Sequence, residues 1–126
     1  MSSFIDIEDA LQQALNAQGF TACAKPLPQR FACPHVLVDM LNAWDENEAQ
    51  AAYQVDFDCR AETYDDAARL QLGVSGFVRA LPGSTLAGKP CYAVDSIRLQ
   101  RIEPDKSHQD VILATVSAQL RVRVAD

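Results

Sequence analysis

Several things are missing from this sequence, and each omission closes a class of function. No apolar run approaches the roughly 20 residues that a membrane-crossing helix needs. The N-terminus opens on a polar, acid-containing pattern without the basic-then-apolar layout of a secretory signal. The chain is therefore expected in the cytosol of its producer, or in a particle assembled there. Histidine is limited to His35 and His108, and Cys23, Cys33, Cys59 and Cys91 lie 10, 26 and 32 residues apart with no C-x-x-C. That spacing fits no zinc site. Cys59 falls in phase with an apolar strand face, so the cysteines read as reduced structural thiols.

A net basic charge is missing too. The formal charge of −6 argues against general nucleic-acid binding through phosphate neutralisation. The charge is unevenly spread: residues 1–66 carry 12 acids against Lys25, Arg30 and Arg60, and residues 67–126 carry 5 acids against 8 bases. Two readings follow. Both halves simply have solvated faces, or the subunit has an acidic and a basic side suited to head-to-tail contacts that close a ring.

Catalytic constellations are absent as well. Gly83 to Lys89 spells G-x-x-x-x-G-K, but a helix pattern precedes it, Pro90 stands where a metal-binding Ser or Thr is needed, and a strand pattern follows. A phosphate-binding loop requires the reverse order, strand then helix, so that backbone N–H groups face the phosphates. Gly73-Val74-Ser75-Gly76 lies inside a helix pattern and is no nucleophile elbow. Asp56 and Asp58 share a strand face, and two solvated aspartates explain them better than an acid–base pair. The chain reads as a non-enzyme with no cofactor, no metal and no catalytic residue.

What is present is an ordered set of periodicities. Tyr53, Val55, Phe57 and Cys59 alternate with Gln54, Asp56, Asp58 and Arg60, the period of a half-buried strand. After the bend Ala61-Glu62, Ala67, Leu70, Val74, Phe77 and Leu81 recur at helical spacing, with Thr63 and Asp66 as a capping pair and Pro82-Gly83 as the stop. Upstream, Ser3 and Asp6 can cap a helix with the stripe Ile7, Leu11 and Leu15, which Gly19 ends. Phe20 to Ala24 reads as a short strand, and Lys25-Pro26-Leu27-Pro28 as an exposed loop. His35 to Trp44 is a strand apolar on both faces, so central in the sheet or at a subunit contact. Trp44 is a core or interface anchor, core being the commoner fate. Pro82 to Pro90 reads as a loop, Ala93 to Ile102 as a strand, Glu103 to Asp110 as a polar connection, and Ile112 to Val124 as the longest strand.

The expected architecture is one domain over residues 1–126, of class α+β. It has a mostly antiparallel sheet of four to five strands with two helices packed on one face, in the order α-β-β-β-α-β-β.

This combination resembles the tail terminator and tail-completion proteins of long-tailed bacteriophages and their head–tail joining relatives. The resemblance is carried by the short N-terminal helix, the Pro-containing loop, and the Pro-led strand Pro34-His35-Val36-Leu37-Val38. The alternating Tyr53-Gln54-Val55-Asp56-Phe57-Asp58 and the helix with Ala67 and Ala68 near its start complete it. It spans roughly Ile5 to Val124, and the acidic Asp45–Gln50 segment departs from it. The resemblance implies a virion protein that forms a hexameric ring on the finished tail tube. The ring halts addition of the major tail tube protein, meets the head connector or neck protein, and lets DNA through its lumen without specific binding or any membrane. Asp45, Glu46, Glu48, Asp56, Asp58, Arg60, Arg121 and Arg123 are the candidate subunit or lumen surface. The alternatives are a head-side neck protein and a small cytosolic ligand-binding α+β domain.

Overall fold

The computed structural model describes residues 4–124. Helix α1 (Ile7–Ala17) leads into β1 (Ala22–Ala24), β2 (His35–Asp45) and β3 (Gln50–Ala61). Helix α2 (Tyr64–Arg79) follows, then β4 (Thr85–Leu86), β5 (Lys89–Leu99), β6 (Glu103–Pro104) and β7 (Ile112–Arg123). The strands form a 7-stranded sheet in the order β1-β2-β3-β7-β5-β4, with β6 pairing β7. β1 runs parallel to β2, and every other pairing is antiparallel. The class is α+β as expected, with β4 and β6 as short strands beyond the expected count. Ser3, one of the two expected helix caps, lies outside the described residues.

The strand register explains the core. Val36 faces Cys59, Val38 faces Phe57 and Met40 faces Val55 across β2–β3. On the other flank Phe57 faces Val116, Tyr53 faces Leu120 and Ala51 faces Val122. These side chains share one sheet face because successive residues alternate between faces. Both helices cover that face: Ile7, Leu11 and Leu15 of α1 and Ala67, Val74 and Val78 of α2 join the strand residues in a single buried cluster. Asp6 caps α1 by accepting from the Asp9 amide (3.1 Å), and Thr63 Oγ1 caps α2 by accepting from the Asp66 amide (3.1 Å).

Several boundaries differ from expectation for identifiable reasons. On α2 the fully buried stripe runs through Ala67, Gln71, Val74, Val78 and Leu81, while Leu70 and Phe77 are only half-buried. Gln71 is admitted to the interior because its amide donates to the carbonyls of Gln100 (2.8 Å) and Thr115 (3.0 Å), so its polar group stays satisfied. The expected Pro82–Pro90 loop contains a hairpin, with Thr85 opposite Pro90. Pro90 is tolerated there because it sits at the sheet margin, where no inner ladder bond is lost. Trp44 is not in the core: it stands opposite Ala52 on the face that no helix covers. The acidic Asp45–Gln50 segment is a tight hairpin tip, closed by Asn47 Oδ1 accepting from the amides of Ala49 (2.7 Å) and Gln50 (3.0 Å).

Candidate functional site

The face away from the helices carries most of the candidate residues, arranged in cross-strand rows. One row places Asp39, Asp56 and Ser117 with Arg98, and a second places Leu37, Asp58 and Thr115 side by side. The carboxylates are already engaged within the chain. Ser117 Oγ donates to Asp56 (2.7 Å) and Thr115 Oγ1 to Asp58 (2.9 Å), while Gln100 Nε2 donates to Ser117 (2.7 Å). Burial raises the Asp58 carboxyl above its ordinary value, and Asp56 and Asp39 add to this against the Thr115 hydrogen bond and Arg60.

Arg60 is a correction. Its alternation with the apolar face suggested an outward side chain, yet only 7% of it is exposed. The loops at residues 25–34 and 105–111 fold over this end of the open face. Arg60 Nε meets Asp105 at 2.8 Å, and His108 Nδ1 lies 2.9 Å from the same carboxylate oxygen. The Phe31 ring packs against both His35 (5.2 Å) and His108 (5.1 Å). Burial pushes the Asp105 carboxyl up, but hydrogen bonds from Arg60, the Ser107 amide and His108 more than offset this and hold it below its ordinary value. His35 is held low by burial and then by Arg60. This is a structural clasp: a buried ion pair ties β3 to the 105–111 loop, and the Phe31 ring brings the 25–34 loop against it.

Arg121 is also held within the chain, between Glu46 (3.3 Å) and Asp95. Asp45, Glu46, Glu48 and Arg123 are exposed at the hairpin end of the sheet. The structure thus divides the eight candidates: four lie at the hairpin end, Asp56, Asp58 and Arg121 are half-buried within hydrogen-bonded pairs, and Arg60 is interior.

The edge of the sheet beside α1 holds polar contacts that the sequence did not announce. Glu8, Gln12 and Asn16 follow one another at four-residue spacing on α1, and each turns to a backbone group. Asn16 Oδ1 accepts from the Ala22 amide (2.9 Å) and its Nδ2 donates to the Ala22 carbonyl (3.2 Å). Gln12 accepts from the Ala24 amide (3.1 Å), and Glu8 from the Met40 amide (2.8 Å). Lys25 Nζ donates to the Met40 carbonyl (3.4 Å), and Asn42 Oδ1 accepts from the Ala43 amide (3.0 Å). Lys25 is itself paired with Asp39 (2.9 Å) and Glu8 (3.4 Å). The polar stripe was the available signal, but it looks like any solvated helix face.

Cavities offer little chemistry. A groove of about 540 Å³ runs between the helices, walled by Ala14, Phe20, Gly73, Phe77 and Leu86. A second, about 480 Å³, lies at Phe20, Cys33, Glu62 and Leu70. Burial raises all four thiols, so none is a ready thiolate at neutral pH. Among the described residues no cluster of three or more His, Cys, Asp or Glu could hold a metal, and no helix is long and apolar enough to cross a membrane.

A one-faced α+β sheet whose conspicuous chemistry lies on its open face and edges defines a protein built around surfaces. Its fold is similar to that of a chain from the virion of a native gene transfer agent (GTA) particle, with a TM-score of 0.50 and 15% sequence identity. The likeness covers 90% of this chain and 91% of that one. No family model matches the sequence, and no curated protein matches it.

Proposed function

We propose that this protein is a structural component of a phage-like particle that caps the finished tail tube as a ring, stops tube polymerisation and offers the joining surface to the head. The observation that carries this reading is the end-to-end fold likeness to a chain of a gene transfer agent virion. The order of elements on which the tail-terminator resemblance rests is also the order of the fold. The proposed partners are further copies of itself, as a hexamer, with the major tail tube protein and a neck protein. No catalysis is invoked.

A lumen through which DNA slides is served by negative charge, which repels the phosphate backbone. The exposed acids of the hairpin tip, Asp45 and Glu48, suit that role better than Glu46, which is paired with Arg121, or Asp56 and Asp58, whose oxygens are occupied by Ser117 and Thr115. The unequal charge of the two halves suits heterologous, ring-closing contacts.

Electron microscopy of particles assembled without this protein tests the reading. Tails of abnormal length lacking heads are expected. Tails of normal length that merely fail to join heads would move the protein to the head-side neck, and intact particles would overturn the virion reading.

A further inference from the structure

The two long margins of the sheet are treated differently. Beside α1, six backbone groups of Ala22, Ala24, Met40 and Ala43 are occupied by side chains. At the other margin β4 and the turn before it cover only Lys89, Pro90 and Cys91 of β5. Beyond them, from Tyr92 to Leu99, β5 pairs with β7 alone. The Gln100 amide bonds the Thr115 carbonyl, which places Gln100, Arg98, Asp95 and Ala93 toward β7. Alternation therefore leaves the N–H and C=O of Val94 and Leu99 directed away from the sheet. Unpaired strand groups of this kind are a template for another strand.

The side chains along this margin are apolar beyond what the fold uses. Tyr92 is 45% exposed and Leu99 48%. Leu72, on the outer side of α2, is 60% exposed as well. Arg79 and Arg98 are exposed and make no ion pair among the described residues. The free margin is thus an apolar, positively charged strand edge about 27 Å long at about 3.4 Å per residue.

We infer that the β5 edge between Tyr92 and Leu99 is a docking site for an extended segment of a different protein, one that alternates apolar with acidic residues and adds to the sheet as a further strand. A second copy is the poorer occupant. Its α1-side edge is sealed, and β5 against β5 would make a twofold dimer that consumes the site. The bulge between Asp95 and Arg98, with Ser96 at φ 55, kinks the edge. Flat, indiscriminate pairing is thereby disfavoured and only a segment that follows the kink is accepted. The inference rests on the virion reading only in expecting the partner among particle proteins.

The test uses the isotope-labelled full chain and a blocked peptide of about ten residues alternating valine and glutamate. Shifts and at least about tenfold slower exchange are expected at the Val94 and Leu99 amides, with none at Met40 and Ala43. An Arg79→Glu, Arg98→Glu double variant should bind about tenfold more weakly. A backbone N-methylated peptide should not bind, and equal binding by it would overturn strand addition. Four further outcomes overturn the inference: equal binding of a valine–lysine peptide, the same shifts with a short DNA duplex, a dimer protecting Val94 and Leu99 without peptide, or no response at millimolar peptide. None of these bears on tails assembled without the protein, so failure here is separable from failure of the virion reading.

Discussion

The α1-side edge and the β5 edge belong to one sheet, yet they meet solvent in opposite ways. The first spends Glu8, Gln12 and Asn16 of α1, with Lys25 and Asn42, on occupying backbone groups. The second leaves Val94 and Leu99 unpaired beside exposed Tyr92 and two exposed arginines. An open edge is a hazard to a protein that works alone, and sheet proteins commonly blunt both. A chain that seals one edge and relies on a single bulge at the other is organised for contact on one side. The sealing also constrains any ring: subunits cannot join by running one continuous sheet from edge to edge, so ring contacts must be made through faces, loops or the acidic hairpin tip.

The largest expected effect separates stability from edge chemistry. Arg60→Ala strands the Asp105 carboxylate, 5% exposed in its side chain, without its cation. Removing one partner of a buried pair costs about 3–5 kcal/mol, readable as a lower urea midpoint. The β5 edge should keep its peptide response, because the clasp joins β3 to the loop after β6, beyond the Leu99 end of the edge. Loss of both together would mean that the clasp shapes the edge and that the two regions are not independent.

Next comes the sealed edge itself. Glu8→Ala, Gln12→Ala and Asn16→Ala together unpair the amides of Ala22, Ala24 and Met40 and the carbonyl of Ala22. At about 1 kcal/mol for each side chain lost, the triple variant should be about 3 kcal/mol less stable. It should also self-associate, since it then presents two open edges. Light scattering that stays monomeric across micromolar concentrations would show that these contacts do not guard the edge.

A third, smaller effect lies at His35, which opens β2 and is held below its ordinary value by burial and by Arg60. The unfolded chain then takes up the proton first, so stability falls as pH drops below about 6.5. Asp105, held low, keeps its contribution through this window and loses it only as the pH falls through its own depressed value. Asp58 is raised, so its folded form protonates more readily and its effect has the opposite sign, at pH just above the usual carboxylate range. Replacing His35 with Asn should flatten the slope of the urea midpoint between about pH 6.5 and 5.5.

These contrasts also mark how far the sequence could be read. Periodicity located the long elements because alternation at Tyr53–Cys59 and the stripe at Ile7, Leu11 and Leu15 record burial directly. It placed Arg60 wrongly because alternation names a sheet face and says nothing of loops that later fold over it; Asp105 is 45 residues away in sequence. It placed Leu70 and Phe77 in the α2 stripe ahead of Gln71, because a satisfied glutamine cannot be told from a solvated one until its acceptors, Gln100 and Thr115, are in place. Residue type left Trp44 between core and interface with core the commoner fate, and hairpin register sent it to the other face. The edges were illegible for a related reason. Glu8, Gln12 and Asn16 read as a wet helix face, and the openness of β5 depends on which strand ends up beside it.

The smallest expected effect completes the contrast. Tyr92→Ser with Leu99→Ser removes two large apolar side chains, a change that would be severe inside the sheet. Here both are about half exposed, so the monomer should lose only about 1 kcal/mol, the low end of the usual range for substitutions. Particle assembly is where the cost should appear, as fewer joined or correctly terminated tails despite a nearly unchanged melting temperature. A clear drop in melting temperature would instead make these residues part of the fold, and the difference between the two edges would then be one of packing and not of purpose.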